Sequence, residues 1–128
     1  GACCDRVRKK LYVMGSYEDT KDALWIYDTQ NQTWKNGHNM PLKRGGFGCH
    51  IICDRYVISI GADYGTEKES DVILLYNVET NEWSASQTKL KQRIGFHASA
   101  LLRDRREIHG FSGYCIDKNV DTHFVVKY

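Results

Sequence analysis

A repeated, all-β architecture is what this sequence predicts, and three observations carry the prediction. First, the stretch from Leu24 to Trp34 and the stretch from Ile73 to Trp83 echo each other. Each ends an apolar run in a tyrosine (Tyr27, Tyr76), continues through Asp, Asn and Thr, and reaches a tryptophan (Trp34, Trp83), with both landmarks offset by 49 residues. Self-similarity at a fixed long period is the signature of a repeat architecture. Second, eight tyrosines and three tryptophans stand against a single proline, Pro41. Aromatic side chains suit a pleated, half-buried surface, and proline interrupts one. Third, the apolar runs are short and bounded by glycine, and none approaches the roughly 20 residues that span a bilayer.

Taken in order, the chain opens with Ala2-Cys3-Cys4-Asp5-Arg6, which matches Ile52-Cys53-Asp54-Arg55 and Leu101-Leu102-Arg103-Asp104-Arg105. Each reads as the end of a first strand followed by a charged turn. A second strand follows in each unit: Lys10 to Gly15, Tyr56 to Gly61, and Glu107 to Gly113. Their loose alternation and terminal glycines suit strands covered on both faces. Polar loops come next, at 16–23, 62–71 and 114–121. The third strands are Leu24 to Tyr27, Val72 to Tyr76, and Phe124 to Tyr128. Segments Asp28–Thr33 and Asn77–Glu82 read as turns, because Asp and Asn side chains bond nearby backbone amides. Trp34 and Trp83 open fourth strands, and loops 35–44 and 85–93 lead through Arg44 and Arg93 into the next first strands, 45–52 and 94–102. The unit is four antiparallel strands in about 49 residues.

Four-stranded units at that period resemble the blades of a β-propeller, and specifically kelch repeats. The kelch motif has an arginine before its first strand, a glycine pair after its second, a tyrosine and an acidic or amide residue closing its third, and a tryptophan opening its fourth. Arg44, Gly61, Tyr76-Asn77 and Trp83 match it; so do Gly15, Tyr27-Asp28 and Trp34 before them, and Arg93, Gly113 and Tyr128 after. Met40-Pro41 resembles the Met-Pro that often precedes the arginine. The glycine pair departs from the pattern, reading Gly15-Ser16, Gly61-Ala62 and Ser112-Gly113, so the repeats are divergent. The resemblance implies blades at 1–44 (its first strand truncated) and 45–93, with an incomplete blade at 94–128. Propellers close with roughly four to eight blades. This partial propeller is therefore expected to need further blades or self-association to cover its open faces.

Composition limits the function classes. With 18 basic and 16 acidic residues interspersed, the net charge is +2, which predicts no nucleic-acid footprint, and no membrane segment is legible. The chain begins Gly1-Ala2-Cys3-Cys4, without a readable signal peptide, as expected of a segment of something longer. The five cysteines fit neither zinc-module nor disulfide-scaffold spacings. A reducing, cytoplasmic setting is expected. On a strand, Cys49 and Cys53 would lie about 13 Å apart at ~3.3 Å per residue, so no metal site is predicted, and no cofactor. The histidines read as structural, and no Ser-His-Asp set can be assembled.

A binding role is expected instead, on loops held by a rigid scaffold. The candidate residues are Arg44 and Arg93, whose matching positions in peptide-capturing kelch proteins grip carboxylates near the channel mouth, and the recurrent tyrosines Tyr17, Tyr64 and Tyr114. An arginine fork binds a carboxylate bidentately, so an acidic protein or peptide is the expected partner. The resemblance implies a non-enzymatic interaction scaffold, for example a substrate-recruiting adaptor of a ubiquitin ligase. The alternative it leaves open is a portion of a metal-dependent propeller enzyme.

Overall fold

The structure is a computed structural model that describes residues 1–16, 22–62, 71–115 and 123–128, with backbone alone at 114 and 115. Among the described residues there are thirteen strands and no helix. The first sheet contains β1 (Ala2–Asp5), β2 (Lys10–Met14), β3 (Leu24–Asp28) and β4 (Thr33–Asn36), each antiparallel to the next. A second sheet repeats that order with β5 (Gly48–Ile52), β6 (Tyr56–Ile60), β7 (Val72–Asn77) and β8 (Glu82–Lys89). A third holds β10 (Ala98–Leu102), β11 (Glu107–Phe111) and β13 (His123–Lys127).

The turns form for the reason the sequence suggests. The Asp28 carboxylate accepts the N–H groups of Gln30 and Asn31, and the Asn77 amide oxygen accepts those of Glu79 and Thr80. The left-handed residue closing each turn, Gln32 at φ 55° and Asn81 at φ 59°, comes four positions after the capping residue both times. Gly15 and Gly61 end the second strands at φ 66° and 75°, a region that side-chain-bearing residues adopt at a cost. A Cβ would also strike the carbonyl oxygen of Arg44 at the first site and of Ile94 at the second. The glycine of one sheet therefore seats the chain entering the next.

Two apolar layers hold the sheets face to face. Tyr12, Met14, Leu24 and Ile26 of the first sheet pack on Cys49, Ile51, Val57, Leu74 and Tyr76 of the second, with Met40 and Phe47 joining from the connection. On its other face the second sheet sets Ile52, Ile58, Ile60 and Ile73 against Ile94, Ile108 and Val126. Each such side chain contributes about 1.5–3 kcal/mol on burial. Tyr76 is the central wedge: its ring lies 6.0 Å from that of Tyr12 and 5.1 Å from Trp83. Its hydroxyl donates to Asn81 at 2.7 Å, while the Trp83 indole donates to the His38 carbonyl at 2.7 Å.

Several expectations need correction. The span 94–102 is not one strand: Ile94–Gly95 forms a short β9, and Phe96 turns at φ 52° before β10 begins. The span 114–121 is not entirely loop, because Tyr114–Cys115 forms β12 and pairs with β9. β8 runs to Lys89 past a bulge, through what reads as loop in the sequence. Of the three second strands, β6 is covered on both faces, whereas β2 and β11 alternate, since among the described residues nothing covers one face of each outer sheet. Asp5 and Asp54, 49 apart, also play different parts. Asp5 lies in the ladder opposite Lys10, 1% exposed, and caps the N–H groups of Val7 and Arg8. Asp54 sits at an exposed turn, because the β5–β6 connection is one residue shorter.

Candidate functional site

In every sheet the first strand is an edge, and β1, β5 and β10 lie side by side as a common inner wall. They border an open groove of about 850 Å³, whose walls include Phe47, Cys49, His50, Ser99 and Leu101. Arg6, Asp54 and Arg103 also line it.

Alternation along β5 builds the wall. Cys49 faces the first sheet, where it meets Cys3, and His50 faces the third, where its Nε2 lies 2.8 Å from the Ser99 hydroxyl oxygen. Gly48 gives that neighbourhood its room: a Cβ there would stand 2.6 Å from the Ser99 hydroxyl and 2.8 Å from His97 Nε2. Burial pushes the His50 imidazole below its ordinary range. His97 falls further, to about 4, from burial first and the nearby His50 second, and neither of its ring nitrogens has a hydrogen-bond partner among the described residues. Both rings are therefore neutral at pH 7, and the Ser99 hydroxyl can donate to His50. Among the described residues no carboxylate hydrogen-bonds to His50, so the pair lacks the group that would orient it and stabilise an imidazolium.

The cysteines divide by face. The Cys3 thiol is pushed up by its hydrogen bond with Cys49 and by burial, which keeps it protonated. Cys4 and Cys53 are exposed. Cys53 lies in a turn at φ 52°. Among the described residues no three His, Cys, Asp or Glu side chains gather as metal ligands. The charged rim is largely paired: Arg103 meets Asp54 at 3.2 Å, while Arg8 holds Asp5 and Glu79 at 3.2 and 3.1 Å and donates to the Asp54 carbonyl.

The sequence-derived candidates scatter. Arg44 is not on a loop face: it is 1% exposed, and its guanidinium donates to the carbonyls of Val72 at 3.1 Å and Gly61 at 3.3 Å and to the Ser59 hydroxyl at 3.4 Å. An arginine sunk among three acceptors is a strut of the second sheet. Arg93 is half-buried just ahead of β9. Tyr17 and Tyr64 lie outside the described residues, and Tyr114 is placed only through its backbone pairing with Gly95. The groove's His50–Ser99 pair did not emerge from the sequence, although a signal was present: the two are 49 residues apart, one repeat period. Where edges converge on a hub, equivalent positions of neighbouring units become neighbours in space.

No protein-family model matches the chain. An F-box/kelch-repeat protein of Arabidopsis thaliana is 24% identical over 79 residues, which is 62% of this chain and 19% of the relative. The chain thus spans about a fifth of the curated relative it matches. With the stacked antiparallel sheets, that similarity is consistent with a kelch-like, β-rich fold.

Proposed function

We propose that this chain is a set of kelch-type blades that binds a protein or peptide through the groove along β1, β5 and β10. The observation that carries the reading is the groove itself. It is an open trough along three side-by-side edge strands, with apolar positions (Phe47, Leu101) next to neutral hydrogen-bonding ones (His50, Ser99) and arginines in the lining. An extended peptide needs such a mixture: alternate side chains enter apolar pockets while its amides meet fixed polar partners. Arg6, exposed, and Arg103, whose Asp54 bridge is solvent-accessible, give a carboxylate-bearing peptide its anchor. Arg6 and Arg103 take the role first assigned to Arg44. The module has no chemistry of its own in this reading and acts in the cytoplasm, recruiting substrates for a ubiquitin ligase. The similarity to an F-box/kelch-repeat protein supports the kelch-type, protein-binding part of this reading.

Selection of peptides from a random display library against the 128-residue chain tests the proposal. Binders should be enriched in Asp and Glu, and should lose at least tenfold in affinity on the double change Arg6→Glu, Arg103→Glu. Cys4→Trp, which fills the groove from an exposed position, should also weaken them. Peptides whose binding is indifferent to both variants would show that the groove is not the site.

A further inference from the structure

The stack repeats the contacts that its inner wall makes across each seam between sheets. Tyr12 and Ile58 each stand three residues before the glycine that ends their strand, Gly15 or Gly61, and they pair with Cys3 on β1 and His50 on β5. Cys3 and His50 therefore hold the same place in their sheets. Cys49 and Ser99 correspond too: each comes two residues after the ring, Phe47 or His97, that a Cβ at Gly15 or Gly61 would strike at 2.7 or 2.9 Å. At the second seam these two places touch, with His50 Nε2 2.8 Å from the Ser99 hydroxyl oxygen. The first seam puts a cysteine at both.

We propose that Cys3 and Cys49 are an oxidation site, a pair that closes to a disulfide with a peroxide and so ties β1 to β5 across the first seam. Both thiols belong to one apolar cluster and hydrogen-bond to each other. Bringing sulfurs already in contact to a bond of about 2 Å moves each by only about 1 Å. Both residues also line the groove, which gives a molecule as small as hydrogen peroxide a way in. Cys4, although adjacent in sequence, is exposed and points to the other face of β1, so it does not compete within the seam. At the second seam His50 and Ser99 can make a hydrogen bond but no such covalent tie. In a cytoplasmic setting a disulfide of this kind is transient and reports oxidant, rather than being a permanent part of the fold.

The two sulfurs take different parts. The Cys3 S–H donates to Cys49, which draws the Cys49 thiol below its ordinary range against the opposing effect of burial, whereas the same bond and burial hold Cys3 protonated. Cys49 is therefore the nucleophile and Cys3 the resolving thiol. The Cys49 thiolate attacks one oxygen of hydrogen peroxide, the O–O bond breaks, and the departing hydroxide takes up the proton that Cys49 released, leaving a sulfenic acid and one water. The Cys3 sulfur then attacks the Cys49 sulfur, the S–O bond breaks, and hydroxide leaves with the Cys3 proton as a second water. Two thiols and one peroxide thus give one disulfide and two waters. A small thiol such as glutathione reopens the bond by exchange, two thiols being oxidised to their own disulfide as the pair is reduced. While closed, the bond fixes the part of the groove wall where β1 meets β5.

Peptide mapping after mild oxidation tests this on the 128-residue chain carrying Cys4→Ser and Cys53→Ser, two changes at exposed positions. The tryptic peptides 1–6 and 45–55 then hold one cysteine each, Cys3 and Cys49. A few equivalents of hydrogen peroxide, followed by alkylation of the remaining thiols, should give these two peptides joined, in a chain lighter by two hydrogens. Because the bond closes a long loop, the melting temperature should rise by about 10 °C. Dithiothreitol should undo both changes. Adding Cys3→Ser, at the half-buried member of the pair, should abolish the link and the rise. Thiols that remain open to alkylation, Cys49 carried on to a sulfinic acid while Cys3 stays free, or a link to Cys115 in place of Cys3 would each overturn the pairing. A joined pair whose melting temperature does not rise, or an equal rise with Cys3→Ser, would overturn the tie across the seam.

Discussion

Arg44→Ala separates a strut from a ligand-gripping residue. The wild-type guanidinium is 1% exposed and supplies donors to Val72, Gly61 and Ser59. A hydrogen bond from a charged donor is worth about 1.5–3 kcal/mol, and a buried carbonyl left without a donor costs about 1–3 kcal/mol. Contributions within one network do not add, so the expected loss is about 3–5 kcal/mol. That is a large part of the roughly 5–15 kcal/mol that stabilises an ordinary domain. At about 3–5 °C per kcal/mol for a chain of this size, the melting temperature should fall by roughly 10–20 °C. Arg44→Lys, which keeps the charge but loses the planar fork, should fall between the two. Urea unfolding followed by tryptophan fluorescence, with circular dichroism as a second probe, measures the loss directly. A melting temperature within about 2 °C of wild type, by the standard of surface substitutions, together with lost peptide capture, would refute the structural assignment and return Arg44 to the binding surface.

Trp83→Ala should cost about 3 kcal/mol, at the lower end for a large aromatic, because Trp83 is only half-buried although it backs Tyr76 and donates to the His38 carbonyl. Trp34→Ala, at the equivalent position on an open face, should cost less than 1 kcal/mol in dilute solution; equal losses in urea titrations would contradict the seam described above. His97 sets a pH dependence. Its folded pKa, about 4, lies below its ordinary 6.5, so between these values the unfolded chain binds more protons and stability rises with pH. Stability is then complete above about pH 6.5 and declines as the pH falls toward 4, with His50 adding to the effect in the same direction. His97→Gln should flatten the slope of unfolding free energy between pH 4 and 6.5, and an unchanged slope would exclude His97 as its source.

The Asx turns at Asp28 and Asn77, the glycine exits at Gly15 and Gly61, and the Tyr–Trp pairs were legible because each expresses a local rule within a few residues. The errors fall where a distant element decides. β9 and β12 pair only because the end of the second strand returns beside Ile94. Arg44 sits in a loop as expected, but its burial there is not legible, because nothing in residues 40–48 shows that Ser59, Gly61 and Val72 surround its guanidinium.

By itself, then, the sequence determined strand order, turn positions and the 49-residue unit, since side-chain alternation and turn chemistry are encoded over neighbours. The tertiary structure alone decided which face of each sheet is dry. It brought His50 to Ser99 and Cys3 to Cys49, and it left Trp34 and Phe111 exposed while half-burying Trp83 and burying Ile60 at the matching positions. The physical reason is that burial in a stack belongs to the neighbouring sheet. Residues at equivalent places in the repeat are core in the middle of the stack and more exposed in the outer sheets.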